Sequence, residues 1–330
     1  MSTEAKVLAQ KIAGILESSQ NILMTIHESP DGDAVGSVLA LHGVLKLIGK
    51  NVVMFSPDVI PMKLRFLSDW DAILIDEKKL HGKEFDVLLM LDCGDKARSG
   101  KYIHGTKSYK TLINIDHHIS NDMFGDVNYV DAKASCTAEK VYEVIKELIK
   151  NSKLIIPPDV ATALLTGIYD DTGGMRYIST TSHTLNIAAD LVDSGANCAF
   201  VSENLFFSVS REKMELTSHV LSTLTFEAEG KIAHMVMTKK DLETTGAFAE
   251  DSEGMIDFPR SIYGVEVAFL IKEVAHDKYK LSFRSRGTVD VNKFCSNYGG
   301  GGHKVAAGCT ISGKLDDIKK DVVNGLRKAL

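Results

Sequence analysis

The sequence predicts an α/β fold whose first half forms a parallel β-sheet. Short apolar segments, each long enough for one buried strand, alternate there with segments whose apolar residues recur at helical spacing. This alternation is typical of βαβ units, in which helices cover the two faces of a parallel sheet. Beyond about residue 180 the pattern changes to helices followed by mixed strands. We therefore expect an N-terminal parallel-sheet domain with helices on both faces and a smaller mixed α/β domain after it.

The first half contains the elements expected of such a sheet. Strands are predicted at 21–26, 51–56, 72–75, 85–91 and 111–115. Helices are predicted at 34–49, 62–67, 137–150 and 159–169. Gly49 suits the end of the first helix, and Pro157 and Pro158 suit the start of the last. These elements are sufficient for an open parallel sheet.

The second half begins with two predicted helices, at 182–195 and 211–224. Strands follow at 232–238, 266–274 and 279–285, and the last two are joined through a hairpin. We expect the domains to comprise residues 1–200 and 226–330, connected by a helical linker at 201–225.

Composition excludes several functional classes. The 330 residues carry a formal net charge of −6, which argues against broad electrostatic binding of duplex DNA. The five cysteines are scattered without CxxC spacing, so neither a disulfide framework nor a zinc ribbon is indicated. No segment approaches the roughly 20 apolar residues of a membrane span. We expect a cytoplasmic protein that does not bind membranes.

Four polar clusters stand out against this background. They are HESPDGDA at 27–34, DCGD at 92–95, DHH at 116–118 and YDDTGG at 169–174. His27, Asp92 and Asp116 each follow a predicted buried strand directly or end it. Because the carboxyl ends of parallel strands meet at one edge of a sheet, we expect these clusters to converge there.

Converging carboxylates repel one another unless a cation neutralises them. Oxygen and imidazole ligands without thiolates suit Mn²⁺ or Mg²⁺. Two such ions that share a bridging carboxylate can activate a hydroxide for phosphoester or phosphoanhydride hydrolysis. Each cluster alone also has a structural interpretation: Asp31 as a helix N-cap, 92–95 as a strand-end turn, one histidine as a core residue, and 170–173 as a helix end.

Two features of the second domain also have both a structural and a functional interpretation. The run Gly299 to Gly302 before His303 is either a flexible linker or a cradle whose backbone N–H groups bind a phosphate. Arg284 and Arg286 lie at the end of a predicted strand, where they are either solvated or form a phosphate-binding pair.

The clusters resemble the motifs of the DHH phosphoesterase superfamily. The matching segments are HESPDGDAVGS, LDCGD, IDHH and DDTGGMRY, together with GGGGHKVAAG, which is similar to the signature of the associated C-terminal domain. The resemblance extends from about residue 20 to residue 313. Met175 departs from it, because an aromatic residue is frequent there, and local substrate packing is therefore open. Size and domain order are similar to those of the bacterial oligoribonucleases, or nanoRNases, of this superfamily.

The resemblance implies two Mn²⁺ ions, with Mg²⁺ as the alternative. One set of ligands would be His27, Asp31 and Asp92. The other would be Asp33, Asp92, His117 and Asp171, with Asp92 as the bridge. His118 would face the scissile phosphate as a donor or acid, and Asp116 would orient an imidazole. The substrate site of the second domain, across a cleft from the ions, would contain Arg284, Ser285, Gly300, Gly301, Gly302 and His303, with Arg286 uncertain.

The leading hypothesis is a Mn²⁺-dependent phosphohydrolase that degrades very short single-stranded RNA to mononucleotides. The same enzyme would remove the 3′-phosphate of adenosine 3′,5′-bisphosphate. The alternatives are a phosphodiesterase for cyclic or linear dinucleotides, an inorganic pyrophosphatase and a catalytically silent nucleotide sensor. A homodimer is possible on this pattern, because the apolar helices near residues 137 to 169 suit either a core or a subunit interface.

Overall fold

The computed structural model describes residues 3–105 and 108–330. The chain divides into two compact units, Met1–Ser208 and Val209–Leu330. Each unit has its own β-sheet and its own buried core.

The first unit contains a parallel sheet, as the sequence predicts. In the described part of the chain this sheet has five strands, in the order β2-β1-β3-β4-β5. They are β1 (Asn21–Thr25), β2 (Asn51–Phe55), β3 (Phe85–Leu91), β4 (Tyr109–Asp116) and β5 (Val127–Val130). All neighbouring strands are parallel. Because the chain leaves β1 toward β2 and later returns to β3 on the other side, the strand order reverses between β1 and β3. In open α/β sheets, ligands bind outside the carboxyl ends of the strands at such a point.

The helices of the first unit are distributed unevenly over the sheet. They are α1 (Thr3–Ser18), α2 (Gly32–Leu47), α3 (Lys101–Gly105), α4 (Thr137–Ser152), α5 (Pro158–Thr172), α6 (Ser182–Asp193) and α7 (Cys198–Phe206). The long helices α1, α2, α4 and α5 bury apolar side chains against one face. Short segments that contribute Leu80 and Ile103 cover the other face. The chain moves across the sheet in opposite directions before and after β2, so right-handed crossovers place α2 on one face and the connections between β2 and β4 on the other.

Two sequence predictions in this unit are wrong. The segment 72–75 is not a strand, because its first residue ends the 3₁₀ turn Trp70–Ala72 and Asp76 caps another 3₁₀ turn directly after it. Only an isolated bridge between Phe55 and Leu74 remains there. The helix predicted at 62–67 is a single 3₁₀ turn, Met62–Leu64. Strand β5 was not predicted, because its four residues alternate between buried and half-buried and form no apolar run.

The second unit is a mixed sheet with helices on both faces. In the described chain its strand order is β10-β11-β9-β8-β7-β6. The strands are β6 (Thr225–Glu227), β7 (Ile232–Met237), β8 (Val267–Ala275), β9 (Lys278–Ser285), β10 (Gly301–His303) and β11 (Ala306–Ser312). The helices are α8 (Arg211–Ser222), α9 (Lys239–Thr245), α10 (Asp257–Ser261), α11 (Val291–Ser296) and α12 (Leu315–Arg327). Strands β8 and β9 form the predicted antiparallel hairpin.

The alternation of side chains along β8 separates two cores in this unit. Phe269 and Ile271 pack with residues of α11 and α12, whereas Ala268 and Leu270 pack with α8 and α10 on the opposite face. Leu216 and Val220 of α8 are buried in the second of these cores. Helix α8 therefore packs with the second unit. None of the helices in residues 3–105 and 108–330 combines the length and apolarity needed to cross a bilayer.

Candidate metal centre

His27 follows the carboxyl end of β1, and its ring orientation is fixed by the backbone. Its Nδ1 lies 2.7 Å from the carbonyl oxygen of Glu28, which can only accept a hydrogen bond. Nδ1 therefore carries the proton, and Nε2 is the nitrogen available for a ligand. That Nε2 lies 3.7 Å from Oδ1 of Asp31 and 3.3 Å from Oδ2 of Asp92.

Asp31 and Asp33 are positioned by the start of α2. Asp31 is the N-cap residue, and its Oδ1 accepts from the amides of Asp33 and Ala34 at 3.1 and 3.0 Å. Asp33, the second residue of α2, is fully buried and points toward the N-terminus of α4. Its carboxylate accepts from the amides of Thr137 and Ala138 at 2.6 and 2.8 Å. The structural interpretation of Asp31 as an N-cap thus holds together with its place in the cluster.

Asp92 lies at the end of β3 between two imidazoles. Its backbone has a left-handed φ of 57°, an uncommon conformation for a residue with a side chain. Oδ2 faces Nε2 of His27, and Oδ1 lies 3.6 Å from Nε2 of His117. The two oxygens of one buried carboxylate therefore face different histidines.

His117 connects Asp92 to the end of α5. Its Nε2 lies 3.2 Å from Oδ2 of Asp171 and 4.0 Å from Oδ2 of Asp33. His27, Asp31 and Asp92 form one group, and Asp33, His117 and Asp171 form another, each with ligand atoms within 4.8 Å of one another. The structure therefore brings together all the residues that the sequence analysis assigns to metal.

His118 is held by a hydrogen-bonded carboxylate. Its Nδ1 lies 2.7 Å from Oδ1 of Asp116, and Asn121 Nδ2 donates to Asp116 Oδ2 at 2.6 Å. This hydrogen bond raises the pKa of His118 more than burial lowers it. Burial raises the pKa of Asp116, but the bonds from His118 and Asn121 lower it more, so the net shift is downward. His118 Nδ1 is also 3.7 Å from Asp92 Oδ1, and the two histidines form a third potential group with Asp92.

Asp170 has a different role from its neighbour Asp171. Its Oδ2 accepts from the Gly32 amide at 2.6 Å, and its Oδ1 lies 3.2 Å from Nζ of Lys63. Asp170 thereby ties the end of α5 to the loop that carries Asp31. The sequence analysis missed this contact, as it missed Asn121 and the α4 amides. In the sequence, only the pairing of two aspartates pointed to Asp170.

The charges of the cluster are unbalanced without a cation. Burial raises the pKa of Asp33 well above its usual range, and the charges of Asp92 and Asp171 raise it further. Burial and the charge of Asp92 act in the same direction on the pKa of Asp171. Although burial lowers the pKa of His27, Asp31 and Asp92 raise it more, to about 10. Carboxylates and imidazoles that hold excess protons in this way fit hard or borderline divalent cations, which displace those protons.

The predicted substrate residues lie on β9 and at β10 of the second unit, two strands that β11 separates in the sheet. Arg284, near the end of β9, is half-buried, and its Nη1 donates to the Phe283 carbonyl at 3.1 Å. The Ser285 hydroxyl is buried and accepts from the Gly287 amide. Gly300 precedes β10, and Gly301, Gly302 and His303 form that exposed strand. A Cβ on Gly300 would lie 2.2 Å from the Gly308 carbonyl oxygen, so close strand packing requires glycine there.

An open parallel sheet with a cluster of carboxylates and histidines at its strand ends that could hold metal ions is an arrangement suited to a metal-dependent phosphoesterase. Two family models match this chain: "DHH family, N-terminal domain" over residues 21–168 and "DHHA1 domain" over residues 229–328. The chain belongs to the DHH family.

Similar proteins extend over the whole chain. The bifunctional oligoribonuclease and PAP phosphatase NrnA of Thermus thermophilus is 32% identical over 97% of this chain and 93% of its own length. The crystal structure of an exopolyphosphatase-related protein from Bacteroides fragilis has a TM-score of 0.89 at 26% identity, covering 100% of this chain and 97% of that one. RecJ of Thermus thermophilus in complex with Mn²⁺ shares the fold, with a TM-score of 0.58 at 14% identity over 97% of this chain and 55% of RecJ.

Proposed function

We propose that the protein degrades very short single-stranded RNA to mononucleotides and removes the 3′-phosphate of adenosine 3′,5′-bisphosphate. The reaction depends on two Mn²⁺ ions, for which Mg²⁺ is the alternative. The name of the Thermus thermophilus relative, an oligoribonuclease and PAP phosphatase, supports this choice of substrates.

One observation carries the proposal: Asp92 presents one carboxylate oxygen to each group of candidate ligands. Its Oδ2 lies 3.3 Å from His27 Nε2, and its Oδ1 lies 3.6 Å from His117 Nε2. A carboxylate shared in this way is the feature expected of a two-metal phosphoesterase. His27 and Asp31 complete one ligand set, while Asp33, His117 and Asp171 complete the other.

Bound ions would supply Lewis-acid stabilisation of the phosphoryl oxygens and a lowered pKa of coordinated water. The protein's own contribution to proton transfer is assigned to His118. Because its Nδ1 is bonded to Asp116, its Nε2 is free to donate a proton to the leaving oxygen or a hydrogen bond to the phosphate. Nε2 donates from the doubly protonated ring, which the raised pKa of His118 favours; Asp116 stabilises and orients that cation, and Asn121 holds Asp116 in place.

The second unit is assigned to substrate binding. Arg284 and His303 carry polar groups that can contact a phosphate, and the exposed backbone of Gly301 and Gly302 allows a close approach. Gly300 and Ser285 hold these groups through strand packing and the bond to the Gly287 amide.

Purified protein is tested on 5′-labelled RNA of two to five nucleotides and on adenosine 3′,5′-bisphosphate, with and without Mn²⁺. We expect mononucleotides from the RNA and phosphate from the bisphosphate, both only with the ion. Cyclic dinucleotides and pyrophosphate are the comparison substrates. Turnover of pyrophosphate alone, or of cyclic dinucleotides without the short RNA, would contradict the proposal.

A further inference from the structure

The buried hydroxyl of Thr137 touches the carboxylate that the two ligand groups share. Thr137 Oγ1 donates to Oδ1 of Asp92 at 2.9 Å, and both side chains are almost entirely excluded from solvent. Oδ1 lies 3.6 Å from Nε2 of His117, whereas Oδ2 lies 3.3 Å from Nε2 of His27. The hydrogen bond from Thr137 therefore distinguishes Oδ1 of Asp92 from Oδ2.

Thr137 is itself held rigidly, because it is the first residue of α4. Its amide donates to Asp33 Oδ2 at 2.6 Å, and the next amide, of Ala138, donates to Asp33 Oδ1 at 2.8 Å. Within the described chain the N-cap residue Cys136 makes no side-chain cap bond, so Asp33 takes that role from another helix. One residue therefore contacts Asp33 of the second group through its amide and the shared carboxylate of Asp92 through its hydroxyl.

The position of Thr137 explains why its hydroxyl is available. A threonine inside a helix commonly bonds the carbonyl four residues earlier. Thr166 of α5 does so, donating to the Thr162 carbonyl at 2.8 Å. At the first position of α4 the residue four places earlier lies outside the helix, and the hydroxyl points to Asp92 instead.

We propose that Thr137 is a positioning residue that fixes the rotation of the Asp92 carboxylate, so that Oδ1 serves the Asp33, His117 and Asp171 group. The carboxylate torsion of an aspartate is broad, and a hydrogen bond to one oxygen selects one orientation. Loss of the hydroxyl weakens the ion held by this group and spares the ion held by His27 and Asp31. The inference rests on the two-metal site of the proposed function.

The test compares Thr137→Val, Thr137→Ser and wild type by calorimetric titration of the metal-free full chain with Mn²⁺. Removing a hydrogen-bond partner of a metal ligand typically costs 10- to 100-fold in metal affinity. For Thr137→Val we expect a loss of about that size at one of two sites and less than about a twofold change at the other. The spin-coupled electron paramagnetic resonance signal of the Mn²⁺ pair should then appear only at higher Mn²⁺ concentrations than in the wild type. Thr137→Ser, which keeps the hydroxyl, restores both readouts.

Thr166→Val is the matched control, since it removes a buried threonine hydroxyl whose hydrogen bond lies within its own helix. Thr137→Ala serves if valine prevents folding, as judged by circular dichroism. Two sites of wild-type affinity in the folded variant, or equal losses at both sites, overturn the inference while leaving the two-metal proposal intact. Failure of the wild type to bind two ions overturns the proposed two-metal site as well.

Discussion

The amide of Gly32 donates a 2.6 Å hydrogen bond to Oδ2 of Asp170, which joins the loop after β1 to the end of α5. Asp31 and Asp171, the sequence neighbours of these two residues, belong to different ligand groups. This hydrogen bond therefore holds together two ligand groups that lie far apart in the sequence. A Cβ on Gly32 would lie 2.6 Å from the Asp170 Cβ, so only glycine allows this approach.

Gly32→Ala is expected to destabilise the protein and weaken Mn²⁺ binding. The added methyl group cannot fit without moving Asp170, and overpacking of this kind costs about 1–3 kcal/mol. Urea unfolding and Mn²⁺ titration are the measurements. Gly14→Ala is the control, since nothing lies within 4 Å of a Cβ at this position in α1. It should stabilise the protein by about 0.5–1 kcal/mol. Equal behaviour of the two variants would show that the Gly32 contact is not tight.

Asp92→Ala is expected to abolish turnover of short RNA, because losing the shared carboxylate removes a ligand from both groups. Asp95→Ala, in the same motif, removes a carboxylate that caps a 3₁₀ turn by accepting from the Ala97 amide. It should cost at most about 1 kcal/mol of stability and keep its turnover. Initial rates at saturating Mn²⁺ distinguish the two variants. Wild-type turnover by Asp92→Ala would refute the bridging assignment.

Stabilisation by Mn²⁺ should increase with pH. The raised pKa values of Asp33 and Asp171 mean that folding favours their protonated forms. That stability is fully present below the unfolded pKa, about 3.9, and is lost as pH rises through the folded values. The raised pKa of His27 acts the same way from about 6.5 upward. The free energy of unfolding of the metal-free protein therefore falls as pH rises. A bound cation offsets the negative charge that develops on the buried carboxylates.

Melting temperatures at pH 5 to 8, with and without Mn²⁺, measure this effect. The difference between the two curves should grow with pH, and titrations in buffers of different ionisation enthalpy should show proton release on binding. A difference that shrinks as pH rises would contradict the electrostatic account of the cluster.

Asp116→Asn is expected to shift the pH profile of kcat. The bond to Asp116 raises the pKa of His118, so removing the charge lowers that pKa. If His118 donates a proton, the alkaline limb of kcat moves to lower pH. His118→Ala should reduce kcat by roughly 10²- to 10⁴-fold and lose that limb. An unchanged limb in both variants would remove His118 from proton transfer.

The sequence predicted which residues form the candidate metal centre better than it predicted the contacts that support them. His27, Asp92 and Asp116 could be placed because buried strands are apolar runs whose ends are visible in the sequence. The position of the α4 amides next to Asp33 could not be predicted, because α4 follows β5, a four-residue strand without an apolar run. The hydrogen bond from Asn121 to Asp116 comes from a loop, where periodicity gives no information. The strand predicted at 72–75 failed because its apolar residues lie between two 3₁₀ turns.

The two arginines near the end of β9 make different contacts, which predict different roles for them. Arg286 turns back onto the protein, donating to the carbonyls of Val265, Arg260 and Ile262 at 2.9 to 3.4 Å. Arg284 is half-buried, and its Nη1 donates to the Phe283 carbonyl. The pattern of the sequence, two arginines two positions apart, does not distinguish these roles.

Arg284→Ala should therefore raise KM for short RNA with kcat little changed, since a charged hydrogen bond to a phosphate contributes about 1.5–3 kcal/mol, or roughly 10- to 100-fold in KM. Arg286→Ala should instead lower the free energy of unfolding by about 1 kcal/mol and leave KM near the wild-type value. Steady-state kinetics and urea unfolding on both variants measure the two effects. A raised KM in Arg286→Ala with wild-type KM in Arg284→Ala would reverse the assignment, because the guanidinium bonded to three carbonyls would then be the one that the substrate needs.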